Sequence, residues 1–222
     1  MRREPAGVLP LLITGAVPLI LVGNALWLLI NPWLVDVEYA LPGFPDTPGL
    51  SKGERSELAD AGIDSIRPAG DGVELLREAR LPSGDPAFEQ REISHMDDVR
   101  GLVAAVLAAW AIALTLAFGV ALWLRRRGDP DAVRRALGRG AGLTLGAMTV
   151  LGLVMLIDFE FFFDGFHAVF FEGDSWRFNE TYTLRQLYPD FFWGVAGAAL
   201  AAFVLIQAVA LALVVRRREG GE

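Results

Sequence analysis

The sequence predicts an all-α membrane protein: a four-transmembrane-helix bundle with a small, mostly helical extracytoplasmic cap that leaves room for a short strand or two. Three observations predict it. Of 222 residues, 53% are hydrophobic and 21% charged, with mean hydropathy +0.39, too apolar for an ordinary soluble domain. Four charge-free runs stand out: Pro5 to Val35, Gly101 to Leu124, Gly140 to Ile157 and Phe191 to Val215, of 31, 24, 18 and 25 residues. The charges between the runs are sorted by sign, since residues 36–100 and 158–190 hold 22 of the 27 acidic residues but 9 of the 20 basic ones.

Each run is long enough to cross a bilayer, because about 20 apolar residues rising about 1.5 Å each span a hydrocarbon core and a helix satisfies its own backbone there. Residues 1–35 are read as an N-terminal tail and first span. Arg2 and Arg3 precede it as in a signal peptide, but the run is too long for a cleavable h-region and ends in Asn31-Pro32-Trp33, so it reads as a retained anchor. Its Pro10, Pro18 and Asn24 require neighbouring helices to satisfy the groups they free or carry. Residues 36–100 form the cap. Ser51-Lys52-Gly53-Glu54 is a capping-box pattern that opens a helix through Ile66, Val73 to Ala79 is a weaker helix, and Leu41 to Gly49 and Leu81 to Pro86 are turns rich in Pro and Gly. Strands are expected, if anywhere, near Val35 to Leu41 or Phe88 to Ile93.

Residues 101–124 are the second span, 125–139 a basic cytoplasmic loop, and 140–163 the third span, which continues past Asp158 into Phe159 to Phe163. Residues 164–190 form a second extracytoplasmic segment, and 191–222 the fourth span and cytoplasmic tail. Gly142 with Gly146, and Gly194 with the alanines up to Ala202, offer small faces for helix packing. Six arginines between Arg125 and Arg139, with Arg216 to Arg218 and Arg2 and Arg3, place both termini in the cytoplasm and the two acidic segments outside. The net charge of −7 argues against a nucleic-acid partner. With no cysteine, thiolate catalysis, Cys-based metal sites and disulfides are excluded.

Both histidines fall where an acidic segment meets a membrane helix. Ser94 reads as an N-cap with Asp97 three residues on, which puts His95 in the first helical turn; the helix dipole there disfavours imidazolium while Asp97 and Asp98 favour it. In a helical 158–172 stretch, Glu160, Asp164 and His167 share a face, so a carboxylate can orient the second ring, beside a stripe of phenylalanines. A lone histidine near a bilayer is ordinarily an interfacial polar group, but two at one depth among carboxylates point to a polar site at the outer leaflet, flanked by rings able to hold lipid chains. Such a pair can deprotonate an attacking amine or water and protonate a leaving alkoxide, with Arg177, Asn179 or Tyr182 steadying the oxyanion. A metal site from His95, His167, Asp158, Glu160 and Asp164, serving a metal-dependent lipid or ester hydrolase, is the alternative, without HExxH-type spacing in its favour. A non-catalytic membrane factor is the third reading.

Glu92-Ile-Ser-His95-Met96-Asp97-Asp98-Val99, running directly into a membrane helix, resembles the E-x-x-H-M-x-D-V signature of the bacterial lipoprotein intramolecular transacylases. Phe166-His167-x-x-Phe170-Phe171 with Trp176, and Leu187-Tyr188-Pro189-x-Phe191-Phe192, resemble that family's second signature, and the four-helix layout and basic inner loop are similar too. The resemblance implies an acyltransferase of the bacterial cytoplasmic membrane, acting at the outer leaflet on a diacylglyceryl-modified lipoprotein. In that family the acyl chain at sn-2 of the glyceryl group moves to the α-amino group of the lipoprotein's N-terminal cysteine, giving a lyso-form product. The resemblance implies His95 and His167 as the catalytic pair. By residue type and place in the chain, the candidates for support are Glu92, Asp97, Asp98, Glu160, Asp164, Trp176, Arg177, Asn179 and Tyr182, and those for an acyl-chain groove are Phe162, Phe163, Phe166, Phe170 and Phe171. No cofactor and no metal is expected, and the partners are the lipoprotein substrate and membrane lipids.

Overall fold

The computed structural model describes residues 7–217, so the expectations that rest on Arg2, Arg3 and Arg218 lie outside the described residues. Nine helices follow one another among them: α1 (Leu9–Leu29), α2 (Pro32–Tyr39), α3 (Lys52–Ile66), α4 (Glu74–Glu78), α5 (Gln90–Arg126), α6 (Pro130–Ile157), α7 (Phe159–Phe170), α8 (Thr183–Leu187) and α9 (Asp190–Arg217). Four of them, α1, α5, α6 and α9, are long and apolar enough to cross a membrane. Their apolar side chains face largely outward: Leu11, Phe118, Val150, Leu156 and Ile206 are all more than half exposed, as suits a lipid surround.

The chain divides into two compact units. The first comprises residues 7–27, 106–157 and 199–217 and is purely helical. Ile13, Val17 and Leu21 of α1 pack there with Leu124, Val133, Ala136, Val204 and Ala208. Lipid gives no hydrophobic drive for helices to associate, so close packing and interhelical hydrogen bonds have to hold them. Both are present. The Asn24 side chain donates to Gln207 Oε1 at 2.8 Å and accepts from Trp110 Nε1 at 3.0 Å, while Gln207 Nε2 donates to the Leu21 carbonyl at 3.1 Å. The glycines that permit close approach are not the expected ones. A Cβ on Gly142, Gly146 or Gly194 would meet nothing within 4 Å, whereas one on Gly140 would lie 2.6 Å from the Val17 Cβ. Spacing identifies small residues but not which face of the helix meets a neighbour.

The second unit comprises residues 28–105 and 158–198. Ser51 caps α3 through a complete capping box, its Oγ accepting from the Glu54 N–H and the Glu54 carboxylate accepting from the Ser51 N–H at 2.8 Å. Helix α3 packs against α2, α4 and α8, burying Leu58, Ala59, Ile63 and Ile66. Around Gly84, whose φ of +90° suits glycine, Leu81 and Asp85 close a tight turn that brings Arg80 opposite Pro86 as an isolated bridge.

No strand occurs among the described residues, and the places considered for one lie mostly in α2 and in the start of α5. Pro32 sits at the first position of α2 behind extended Asn31, so the expected first span ends at Leu29 and a new helix buries Leu34, Val35 and Glu38. Residues 90–93 are the first turn of α5. The third run does not continue unbroken through Phe163 either. Asp158, with φ −151°, accepts from the Phe161 N–H at 2.9 Å and starts α7 as a separate, strongly amphipathic helix.

Candidate active site

Every residue of the candidate site lies in the second unit. Helix α5 delivers His95, but not from its first turn. The Glu92 carboxylate accepts from the Glu89 N–H at 2.7 Å and so opens the helix at Gln90; the expected cap Ser94 is inside it, accepting from Gln90 Nε2 at 3.3 Å. The other Glu92 oxygen accepts from the Leu184 N–H at 2.7 Å, at the start of α8. This fully buried carboxylate therefore pins the first turn of α5 to α8, one helical turn before His95 on the same side. Burial raises its pKa, against the pull of its backbone hydrogen bonds. Glu92 holds the frame, each of its carboxylate oxygens accepting from a backbone N–H. Thr183 adds to the clamp by donating to the Ala87 carbonyl at 2.5 Å.

Helix α7 delivers His167 by local means, and Gly165 does not break it. The ring is oriented by a carbonyl and not by the carboxylate expected from the Glu160, Asp164, His167 spacing: His167 Nδ1 lies 2.8 Å from the Phe163 oxygen. A carbonyl only accepts, so Nδ1 carries the hydrogen and Nε2 of the neutral ring holds the lone pair. Asp164 instead pairs with Arg177 at 3.1 Å, and Glu160 is exposed.

The two imidazoles stack with centroids 6.1 Å apart and planes 29° apart. Rings enclose them. Phe163 and Trp176 lie 4.1 and 4.7 Å from His167, while Phe171 and Phe178 present edges to His95 at 5.1 and 5.4 Å. Both histidines are at least nine-tenths buried. Burial and the neighbouring His167 push the His95 pKa down to about 4, and burial lowers His167 too, opposed by the Phe163 hydrogen bond and by Asp164. Both rings are thus neutral at pH 7, which resolves the sign that the dipole and the aspartates left open. His95 Nδ1 and Trp176 Nε1 are buried without a hydrogen-bond partner.

The remaining expected residues divide. Asp97 and Asp98 are exposed on α5. Arg177 is occupied by Asp164 and Asp174 and lies over the Trp176 ring at 4.8 Å. The Asn179 oxygen accepts from Thr181, and Tyr182 packs on Phe178 at 5.2 Å. The five phenylalanines differ in burial, and Phe166 also meets the His167 ring edge-on at 5.4 Å. Phe163 and Phe171 belong to the ring layer, Phe166 and Phe170 pair at 4.9 Å and are 43% and 50% exposed, and Phe162 is half-buried. Phe178, and Trp193 at 6.4 Å from Phe163, join the layer unannounced, since neither lies on a periodic stripe with the histidines. Nor are His95, His167, Asp158, Glu160 and Asp164 gathered as a metal would need: among the described residues no three His, Asp or Glu side chains form such a group.

Four apolar helices of spanning length, with a buried pair of neutral imidazoles in an aromatic layer, define a polytopic membrane protein equipped for proton transfer. The particular family follows from comparison. The model of the lipoprotein intramolecular transacylase family, Lit, matches residues 11–193, and the chain belongs to that family. An uncharacterized protein of Aquifex aeolicus (strain VF5) is 28% identical over 199 residues, covering 84% of each chain. The structure of the membrane-integral lipoprotein intramolecular transacylase Lit from Bacillus cereus shares the fold, with a TM-score of 0.80 at 21% identity over 96% of this chain and 97% of that one. Two structures of the same Bacillus cereus protein with one histidine replaced superpose with TM-scores of 0.75. The protein is accordingly an acyltransferase of the lipoprotein intramolecular transacylase family, with four helices among the described residues long and apolar enough to cross a membrane.

Proposed function

We propose that the substrate is a diacylglyceryl-modified lipoprotein, that its sn-2 acyl chain moves to the α-amino group of its N-terminal cysteine, and that His95 and His167 carry the protons. The observation behind this reading is the stacked pair of buried, neutral imidazoles, one with a fixed tautomer. Amine and ester belong to one molecule, so placement supplies a high effective concentration and the protein has to manage protons and charge. The amine nitrogen bonds to the ester carbonyl carbon and loses a proton to His167 Nε2. Collapse breaks the bond from that carbon to the sn-2 oxygen; as the bond breaks, His95 takes the proton from His167 at one ring nitrogen and gives the proton on its other nitrogen to the departing alkoxide. Both rings are then neutral again, and the product is an N-acyl, S-monoacylglyceryl cysteine.

The exposed face of α7 with Phe166 and Phe170 suits the acyl chains, and the ring layer of Phe163 and Phe171 keeps water from the histidines. Replacing Phe170 by Ala should raise KM for long-chain substrates about threefold or more; equal kinetics across a chain-length series would remove the groove. Positive charge from Arg125 to Arg139 supports a cytoplasmic loop there and a histidine layer at the outer leaflet. The natural absence of cysteine makes this simple to test. A Ser83→Cys variant should react with a membrane-impermeant maleimide in intact cells and Asp131→Cys only after permeabilisation; the reverse pattern inverts the topology.

Product identity is tested by giving the purified protein a diacylglyceryl reporter lipopeptide and sequencing the product by mass spectrometry. An acyl group on nitrogen, with one acyl chain lost from the glyceryl group of the same molecule, is expected. Free fatty acid in place of the N-acyl product would show a hydrolase.

A further inference from the structure

We infer that the indole N–H of Trp176 is the donor that stabilises the oxyanion formed when the amine adds to the ester carbonyl. This inference rests on the acyl-transfer reading above and assigns the part of the reaction that neither histidine performs. The addition drives the carbonyl π electrons onto oxygen, and in a layer of rings that excludes water the resulting negative charge needs a fixed donor.

Trp176 meets that need by position and by elimination. Its residue is 7% exposed, yet Nε1 has no partner, although a buried indole N–H ordinarily finds one. An indole nitrogen can only donate, so a base or nucleophile role is closed to it. The ring is held firmly: His167 stacks on it at 4.7 Å and 29°, Phe163 meets it edge-on at 6.2 Å, and the Arg177 guanidinium lies 4.8 Å over it. Of the other donors in the layer, the His95 ring is taken up by the proton relay proposed above, and the rest are committed. His167 Nδ1 serves the Phe163 carbonyl, Arg177 serves Asp164 and Asp174, and Arg91 donates to the Asp174 carbonyl. The expected oxyanion residues Asn179 and Tyr182 are an exposed turn residue and a partner of Phe178. An unmet donor in the resting protein is what a group reserved for the transition state looks like, because pairing it in the ground state would forfeit the differential.

The test removes the N–H and keeps the ring. Trp176→Phe should lower kcat about 100-fold with KM within about twofold, the size typical of one lost oxyanion donor. It should weaken binding of a phosphonate mimic, an anionic tetrahedral centre on the sn-2 oxygen, by a similar factor. If the phenylalanine variant is poorly folded, β-(3-benzothienyl)alanine at position 176, with sulfur replacing N–H in an indole-shaped ring, decides the question. A folded variant of either kind with kcat within threefold of the unaltered protein, or with its loss confined to KM, overturns the inference. Activity retained in His95→Ala and His167→Ala would sink the reading beneath it, whereas inactive histidine variants beside a fully active Trp176→Phe sink this inference alone.

Discussion

The first turns of α5 and the whole of α7 each deliver one histidine to the same aromatic layer, and they do so by opposite means. Helix α5 is fixed from afar: one buried carboxylate, Glu92, accepts from the Glu89 N–H at its own start and from the Leu184 N–H, 92 residues on. Helix α7 is fixed by its own residues, with Asp158 capping its start and the Phe163 carbonyl holding the His167 ring one turn away. Long-range pinning makes the His95 side depend on the fold of the unit, while local fixing makes the His167 side nearly self-sufficient. A third glutamate-bearing element sharpens the contrast. Glu38 of α2 is as buried as Glu92, but neither of its oxygens has a partner, and burial pushes its pKa up to about 8.

The clamp is where the comparison breaks most visibly. Glu92→Ala leaves the buried Leu184 N–H without an acceptor, at about 1–3 kcal/mol, and frees the part-buried Glu89 N–H as well, so it should lower Tm and activity together. Thermal unfolding in detergent with a parallel activity assay measures it, and an unchanged Tm would mean that the clamp is dispensable.

Glu38→Gln should act in the opposite direction. Glu38 binds its proton more tightly folded than unfolded, so its contribution is fully present below the ordinary carboxylate pKa of 4.5 and is lost as pH rises toward 8. The variant should therefore match the unaltered protein near pH 4 and exceed it in Tm at pH 7 and 8. Equal stability at every pH would show that the carboxyl is satisfied in solution.

The lowered histidine pKa values have the reverse sign. His95 stays neutral down to about pH 4, so its contribution to stability is present above 6.5 and lost as pH falls from there toward 4. Activity that relies on neutral imidazoles should stay level from pH 8 to about 6.5 and fall only on the acid side; a rate that rises on acidification would call for a protonated ring in the resting protein. The mildest change is Asp158→Ala, which removes one N-cap at about 1 kcal/mol. Activity within about threefold is expected, because the Phe163 hydrogen bond still orients His167.

The same contrast explains what could be read in advance. Spans, the Ser51 capping box, and the helix that carries Glu160, Asp164 and His167 are local patterns, and local patterns are written in sequence. The resemblance to the family signature also marked Glu92 and His95 as belonging together. What spacing could not convey was the partner across the fold: that Glu92 serves backbone N–H groups, that Asp164 is spent on Arg177, and that Phe178 closes over His95 from a segment without periodicity. Glycines erred for the same reason, since Gly140 and Gly142 differ only in which neighbour the fold supplies.

The most direct measurement compares the unaltered protein with His95→Ala and His167→Ala in a bacterium that makes only diacylglyceryl lipoproteins, by mass spectrometry of a reporter lipoprotein's N-terminal peptide at matched membrane expression. The unaltered protein should yield the N-acyl, S-monoacylglyceryl cysteine, and each variant should reduce it by roughly 10²–10⁴-fold, the range of general acid–base catalysis. Product formation undiminished in both variants would contradict the assignment of proton transfer to the paired histidines.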